Sequence, residues 1–272
     1  MFFGKKICPK CQSEYDVAMP TCPACGEADP NYPDGKLSKE ATWMVWWRQL
    51  VIFVIGSIGL TIAGTLAAIP FIAVRGAENG LTLSDTLWVD FIGYAAILIG
   101  MFIVAWPRRK DLVKSFRKWL PFVIGLAGAA ALYFFSLFYG VILQLIRKEV
   151  TDNANQSLAV LLVKGYPVVS FFLLGIMGPV AEELTYRVGL FSFCLRAKKW
   201  VAYVVVTIVF ALIHFDFESF GNTELLINEL LNLPSYAFAG CALCFLYDRW
   251  GLSASLTAHI LNNIVSCIFI LL

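Results

Sequence analysis

Long apolar stretches recur along the 272-residue chain, and they constrain its fold more than any other feature. A helix of about 20 residues crosses ~30 Å of hydrocarbon, because each residue advances about 1.5 Å. Seven apolar windows are candidates, over residues 45–74, 88–106, 119–146, 167–195, 200–215, 235–249 and 252–271. Soluble domains contain about 25% charged residues, whereas this chain contains 15% and is 59% hydrophobic. The sequence therefore predicts a polytopic membrane protein.

One further stretch, "FGNTELLINELLNL" at 220–233, is too polar to cross a membrane by itself. We interpret it as a short re-entrant or interfacial helix. The predicted fold class is an all-α polytopic membrane protein with about seven transmembrane helices, this extra helix and a small N-terminal head.

The placement of Lys and Arg predicts the orientation, because short cytoplasmic loops are enriched in these residues. With the N-terminus in the cytoplasm and the C-terminus outside, sixteen basic residues lie inside and four outside. The chain start, "MFFGKKICPKC", lacks the apolar region of a signal peptide. We expect a multi-pass protein of the cell membrane, in which the basic loop 107–118 determines topology and binds no nucleic acid.

Four of the eight cysteines form two CxxC pairs near the start of the chain. Cys8, Cys11, Cys22 and Cys25 have the spacing of a zinc ribbon, in which four thiolates complete a closed tetrahedral Zn²⁺ site. Two disulfides are the alternative, but they are rare in the reducing cytoplasm. We therefore expect structural zinc in a ribbon at 1–28, a linker at 29–42 and a transmembrane domain at 43–272. A second CxxC, Cys241 and Cys244, has no further ligand nearby in sequence.

Charged and polar residues inside the apolar windows point to a functional site. "GPVAEELTYR" carries Glu182, Glu183 and Arg187, although each charge at that depth costs about 2.5–3.5 kcal/mol. The two histidines of the chain, His214 and His259, also lie in apolar segments. Separate helices that each bring a costly polar residue into the membrane are most simply explained by one shared polar cavity.

Helical spacing assigns these residues to faces. Glu183 and Arg187 are four residues apart and predict an internal ion pair, which leaves Glu182 free to face the cavity as a general base. His259 and Asn263 are also four apart and share a face, so both side chains could donate to one developing oxyanion. Phe210 has the same spacing from His214, and we expect its ring to pack where that imidazole must be oriented.

Three ordered motifs carry a family resemblance: "EELTYR" fits EExxxR, "FALIH" fits FxxxH and "HILNN" fits HxxxN, whose last member is Asn263. The chain resembles the CPBP family of intramembrane endopeptidases, also called the Abi or type II CAAX prenyl protease family. The resemblance covers a core of about 167–272, and the ribbon lies outside it.

The resemblance implies that Glu182 activates water, that Glu183 and Arg187 support the site, and that His214 orients the water. His259 and Asn263 would form the oxyanion hole. The family has both metal-dependent and metal-free descriptions, and the absence of an HExxH pair favours a glutamate-type mechanism without catalytic metal. The expected substrate is a membrane-associated protein or peptide, whether prenylated or not; a partner for the ribbon is not indicated.

Two other classes of function use such a cluster. A non-catalytic scaffold or bacteriocin-immunity protein would bind a partner helix or a bacteriocin with it, as the bacterial relatives' association with immunity suggests. A small transporter or proton pathway would also need intramembrane Glu and His, but the sequence lacks the internal repeat that transporters usually carry.

Overall fold

The computed structural model describes residues 5–16, 19, 21–27, 44–146 and 153–272. The predicted linker at 29–42 therefore lies outside the described residues. Apolar helices dominate the rest, and six of them are long enough to cross a membrane. The helices are α1 Trp46–Arg75, α2 Leu83–Ala105, α3 Leu120–Ile146, α4 Ala154–Gly165, α5 Pro167–Cys194, α6 Lys199–Leu212, α7 Thr223–Trp250 and α8 Leu252–Leu271. The predicted all-α polytopic fold is confirmed.

Three details differ from the sequence prediction. The polar stretch 220–233 does not form a helix of its own, because α7 continues from Thr223 through Pro234 to Trp250. Asn222 caps its start by accepting from two backbone N–H groups, and the polar residues Asn228 and Glu229 are buried. Helix α4 was not predicted as a helix.

The third difference concerns α6, the predicted span 200–215, which ends at Leu212. Its 14 residues extend about 21 Å, less than the thickness of the hydrocarbon layer. His214 consequently lies in the non-helical turn after α6. Irregular backbone at membrane depth is tolerated where it is buried in protein or lines a cavity.

Helix α5 lies at the centre of the largest hydrophobic cluster and packs against α1 at two glycines. A Cβ at Gly56 would lie 1.7 Å from Oγ1 of Thr185, and a Cβ at Gly189 would lie 2.9 Å from the backbone nitrogen of Phe53. Only residues without a side chain allow this approach. The close contact of small residues is the usual means of helix association in membranes, and here it fixes the helix that carries the glutamates.

The N-terminal head contains a two-stranded antiparallel sheet, β1 Lys5–Ile7 and β2 Glu14–Asp16, in which Lys6 pairs with Tyr15. The head contacts the helical domain through Arg196, which follows α5. Nη1 of Arg196 lies 3.1 Å from Oδ2 of Asp16, Nη2 donates to the carbonyl of Met44, and Nε donates to Gln49. The head therefore lies at the same end of the helical domain as the α5–α6 turn.

Candidate active site and metal centre

The helix that carries the glutamates is locally unwound to π-helical hydrogen bonding, over Leu173–Met177 and Glu183–Phe191. The first segment leaves the carbonyl of Leu174 without a helical partner: the Gly178 N–H bonds to Leu173, and Pro179 has no N–H to donate. Nδ2 of Asn263 donates to that carbonyl at 3.0 Å. The proline thus creates the acceptor that anchors Asn263 from helix α8.

Glu183 lies at the centre of a fully buried charged cluster. Its Oε1 lies 3.3 Å from Nη1 of Arg187 and 3.0 Å from Nδ1 of His259, and the side chains of Glu183 and Arg187 are both 0% exposed. The guanidinium of Arg187 also lies 4.5 Å from the ring centroid of Phe210. A charge buried this deeply requires a partner, and the three helices α5, α6 and α8 meet around this pair.

Glu182, unlike Glu183, faces a cavity. The cavity has a volume of about 710 Å³ and is also lined by His214, His259 and Asn263. Its side chain is 21% exposed, and its Oε2 lies 3.6 Å from Nε2 of His259. Among the described residues, that buried oxygen has no hydrogen-bond partner. Two adjacent glutamates therefore occupy different environments: Glu183 is paired inside the protein, and Glu182 is available to a molecule in the cavity.

His214 is oriented from three directions. Its Nδ1 lies 2.8 Å from the carbonyl of Phe210, and because a carbonyl can only accept, Nδ1 carries the proton and Nε2 is left as an acceptor. The Tyr236 ring stacks on the imidazole at 4.2 Å and 16°. Tyr236 in turn donates to Oδ1 of Asn153, whose Nδ2 donates to the carbonyl of His214.

Glu229 ties the surrounding segments together. Its Oε1 accepts from the backbone N–H of Ala154 at 3.0 Å, and its Oε2 accepts from that of Asp216 at 3.2 Å. This carboxylate is 5% exposed. It holds the start of α4 and the turn after His214 against α7, so Glu229 and its neighbour Asn228 are buried although most of 220–233 is exposed.

Sequence reasoning missed three residues that line the cavity, Tyr236, Asn153 and Asp90, and the buried Glu229 behind it. The polarity of 220–233 could have indicated Glu229, but that stretch was interpreted as a re-entrant helix or a helix at the membrane surface. The stretch "LWVDFIGY" could have indicated Asp90, because a carboxylate interrupts an apolar span there. Tyr236 and Asn153 had no such signal, because their roles depend on a stacking contact and a bond between distant segments.

The four cysteines of the head converge as their spacing predicts, with all ligand atoms within 4.8 Å of one another. Sγ of Cys8 and Cys25 are 3.6 Å apart, and Sγ of Cys11 and Cys22 are 3.5 Å apart. Four thiolates at ~2.3 Å from one ion would be separated by about 3.8 Å. The donor set can therefore hold a metal such as zinc.

Both CxxC turns have the same backbone geometry. In each, the first cysteine's N–H donates to the residue five positions later, and its carbonyl accepts from the residue four positions later. The residue after the second cysteine, Gln12 or Gly26, has positive φ. Hydrogen bonding to Ser13 lowers the pKa of Cys11 to about 6, whereas burial and the neighbouring thiols raise the pKa of Cys25 to about 12. Metal binding requires the thiolate form of both.

The fold and the site define a multi-pass membrane protein with a glutamate, two histidines and an asparagine around an internal cavity. Residues 164–265 match the family model described as type II CAAX prenyl endopeptidase Rce1-like. The match covers the region that carries the three motifs, and the resemblance to this family of membrane proteases that they predict is confirmed.

A curated relative covers more of the chain. The UPF0177 protein YvdC of Lactococcus lactis subsp. lactis is 25% identical over 210 residues, which are 76% of this chain and 75% of the relative. No solved structure matches the chain.

Proposed function

We propose that the protein is an intramembrane endopeptidase that hydrolyses a peptide bond in a membrane-associated protein or peptide. The observation that carries this proposal is the position of Glu182, whose carboxylate lines the cavity and has a buried oxygen with no hydrogen-bond partner among the described residues. A carboxylate that accepts no hydrogen bond inside a membrane protein is expensive. A general base must keep its oxygen available for a proton, which explains why Glu182 lacks the partners that Glu183 has.

In the proposed reaction, Glu182 removes a proton from a water molecule that is oriented by Nε2 of His214. The hydroxide adds to the carbonyl carbon of the substrate, and the resulting oxyanion accepts hydrogen bonds from Asn263 and from Nε2–H of His259. His259 must then be protonated at both ring nitrogens, because its Nδ1–H donates to Glu183. Collapse of this intermediate breaks the C–N bond, and the proton held by Glu182 passes to the departing nitrogen. The Asn263 amide has two N–H donors, of which one is used by Leu174 and one remains.

We propose a glutamate-type mechanism without a catalytic metal. Nδ1 of His259 bonds to Glu183 and Nδ1 of His214 to a backbone carbonyl, which leaves Nε2 of each ring to face water or substrate. Within the described residues, the cysteines of the head are the one group of three or more potential ligands that converges on a point. The proposed metal of the protein is therefore structural Zn²⁺ held by Cys8, Cys11, Cys22 and Cys25 in a ribbon domain at 1–28.

The proposed orientation has the N-terminus in the cytoplasm and the C-terminus outside. The contact between Asp16 and Arg196 supports it, because it joins the head to the basic turn 196–199 at one end of the protein. The transmembrane domain at 43–272, with its family core at 167–272, then begins on the cytoplasmic side.

The test compares the membrane-bound and released peptides of cells that express the wild-type chain or Glu182→Gln at matched levels. The substitution preserves shape and removes basicity, and we expect specific fragments to fall by about 10²–10⁴-fold. Glu218→Gln is the matched control, because the same change is made on an exposed turn outside the cavity. Identical peptides from wild type and Glu182→Gln, with any immunity phenotype retained, would favour a non-catalytic binding protein instead.

A further inference from the structure

Helix α2 carries two carboxylates that the fold treats differently. Asp85 is 5% exposed, bonds to Thr82 in a capping box and pairs with Arg75. Asp90, five residues later, is only half-buried and lines the same cavity as Glu182. No hydrogen bond or ion pair engages Asp90 within the described residues. The structure of α2 therefore accounts for Asp85 and leaves Asp90 unexplained.

The charge of the cavity indicates what Asp90 would bind. Its described lining contains two acidic residues, Glu182 and Asp90, and no lysine or arginine. Arg187 does not compensate, since it is 0% exposed and paired with Glu183. A carboxylate at this depth is costly without a partner, and intramembrane ionisable residues mark functional sites by default. The missing partner is most simply a cation carried by the molecule that enters the cavity.

The distance between the two acids follows from the helix contacts. Tyr94 lies one turn after Asp90 on α2, and Gly178 lies one turn before Glu182 on α5. The Tyr94 hydroxyl is 4.0 Å from the position that a Cβ atom of Gly178 would occupy. Because α2 and α5 cross the membrane in the same direction in the proposed topology, the two carboxylates are separated by about 12 Å along the helices. An extended peptide covers that distance in three to four residues.

We infer that Asp90 is a specificity residue that binds a basic side chain, lysine or arginine, of the substrate within about four residues of the cleaved bond. The location of the cleaved bond in this inference rests on the proposed function. The cation site at Asp90 does not depend on that function. The cavity volume of about 710 Å³ is within the range of ~300–1,000 Å³ that is typical of ligand sites.

A binding experiment tests the cation site without requiring catalysis. The purified full chain in detergent micelles is titrated with acetyl-Leu-Lys-Leu-amide or with its uncharged counterpart, in which norleucine replaces lysine. The nitrogen NMR signals of the two histidines report binding, because both line the cavity. We expect the lysine peptide to bind wild type about tenfold more tightly than the norleucine peptide, because a hydrogen bond between charged groups is stronger than one between neutral groups.

The variants separate the possible outcomes. Asp90→Asn should lose the preference for lysine, whereas Asp90→Glu should retain it. Asp85→Asn is the control for loss of charge on the same helix outside the cavity. Unchanged histidine signals without peptide establish that each variant is folded. Equal binding of both peptides to wild type, or a preference that survives in Asp90→Asn, would overturn the inference.

The fragment comparison adds an independent arm. Fragments that depend on Glu182 should carry Lys or Arg within about four residues of the cut and should fall about tenfold in Asp90→Asn. Cut sites without such enrichment would contradict the assignment of substrate class. If Glu182→Gln changes no fragment, the proposed protease function fails, while the peptide titration still decides whether Asp90 binds a cation.

Discussion

The cysteine head and the membrane cavity both gather polar side chains, but different parts of the chain hold them in place. In the head, four ligands from 18 residues of sequence converge through two similar turns, and the buried cluster contains little besides Cys8, Tyr15 and Cys22. In the cavity, the polar residues come from helices along the whole transmembrane domain, which are fixed by a large apolar core. The comparison teaches that a site folded around a bound ligand has little stability without that ligand. A site held by packed helices does not need its polar groups for stability, so they remain available to bind another molecule.

Removing the metal should therefore have the largest effect, and it should be confined to the head. Metal binding to small zinc modules contributes about 10–16 kcal/mol, so we expect chelation or Cys8→Ser to abolish the folded head while the helices persist. Metal analysis should give one zinc per chain before chelation. The amide NMR signals of residues 5–27 should lose their chemical-shift dispersion, and the helical circular dichroism signal should remain. Loss of the helices as well would break the distinction between the two regions.

The adjacent glutamates offer a second, smaller test. Glu183→Gln leaves the buried charge of Arg187 without its partner, and we expect a loss of about 3–5 kcal/mol in the free energy of unfolding. Glu182→Gln should change stability much less, because its side chain faces the cavity. Equilibrium unfolding in mixed micelles measures both variants. If Glu182→Gln were the more destabilising, the division between a structural and a reactive glutamate would be wrong.

The smallest expected effect concerns the orientation of His214. Tyr236→Phe keeps the stacked ring and loses the bond to Asn153, whereas Tyr236→Leu loses both. We expect fragment release to fall about tenfold in Tyr236→Leu, since a net hydrogen bond plus a ring contact amounts to about 1–2 kcal/mol, and less in Tyr236→Phe. Nitrogen NMR should show the His214 signals shift in Tyr236→Leu with those of His259 unaffected. Equal changes at both histidines would indicate a general loss of packing.

Sequence alone predicted the features that depend on local spacing. The two CxxC pairs predicted the cysteine cluster, and the three motifs predicted the resemblance to the protease family. The spacing of four residues anticipated the contact between Glu183 and Arg187, which the structure shows at 3.3 Å. Long apolar windows were sufficient to predict most of the helices.

Features that depend on tertiary contacts were not predictable in this way. The continuity of α7 required knowing that Glu229 is buried against two backbone N–H groups, which only the folded chain provides. The anchoring of Asn263 depends on a carbonyl released by the combination of π-helical turns and Pro179. Propensity and periodicity describe one segment at a time, so they cannot reveal a partner from another helix.

Arg196 joins the two regions through its contacts with Asp16, with Met44 and with Gln49. The same side chain thus joins the cysteine head, the residues that start α1 and the end of the glutamate helix. Linkage is reciprocal: the factor by which metal binding raises the equilibrium constant for docking of the head is also the factor by which docking raises the affinity for the metal. A chain that is cut between head and helices would therefore bind zinc with an affinity different from that of the intact protein, by the free energy of this one junction.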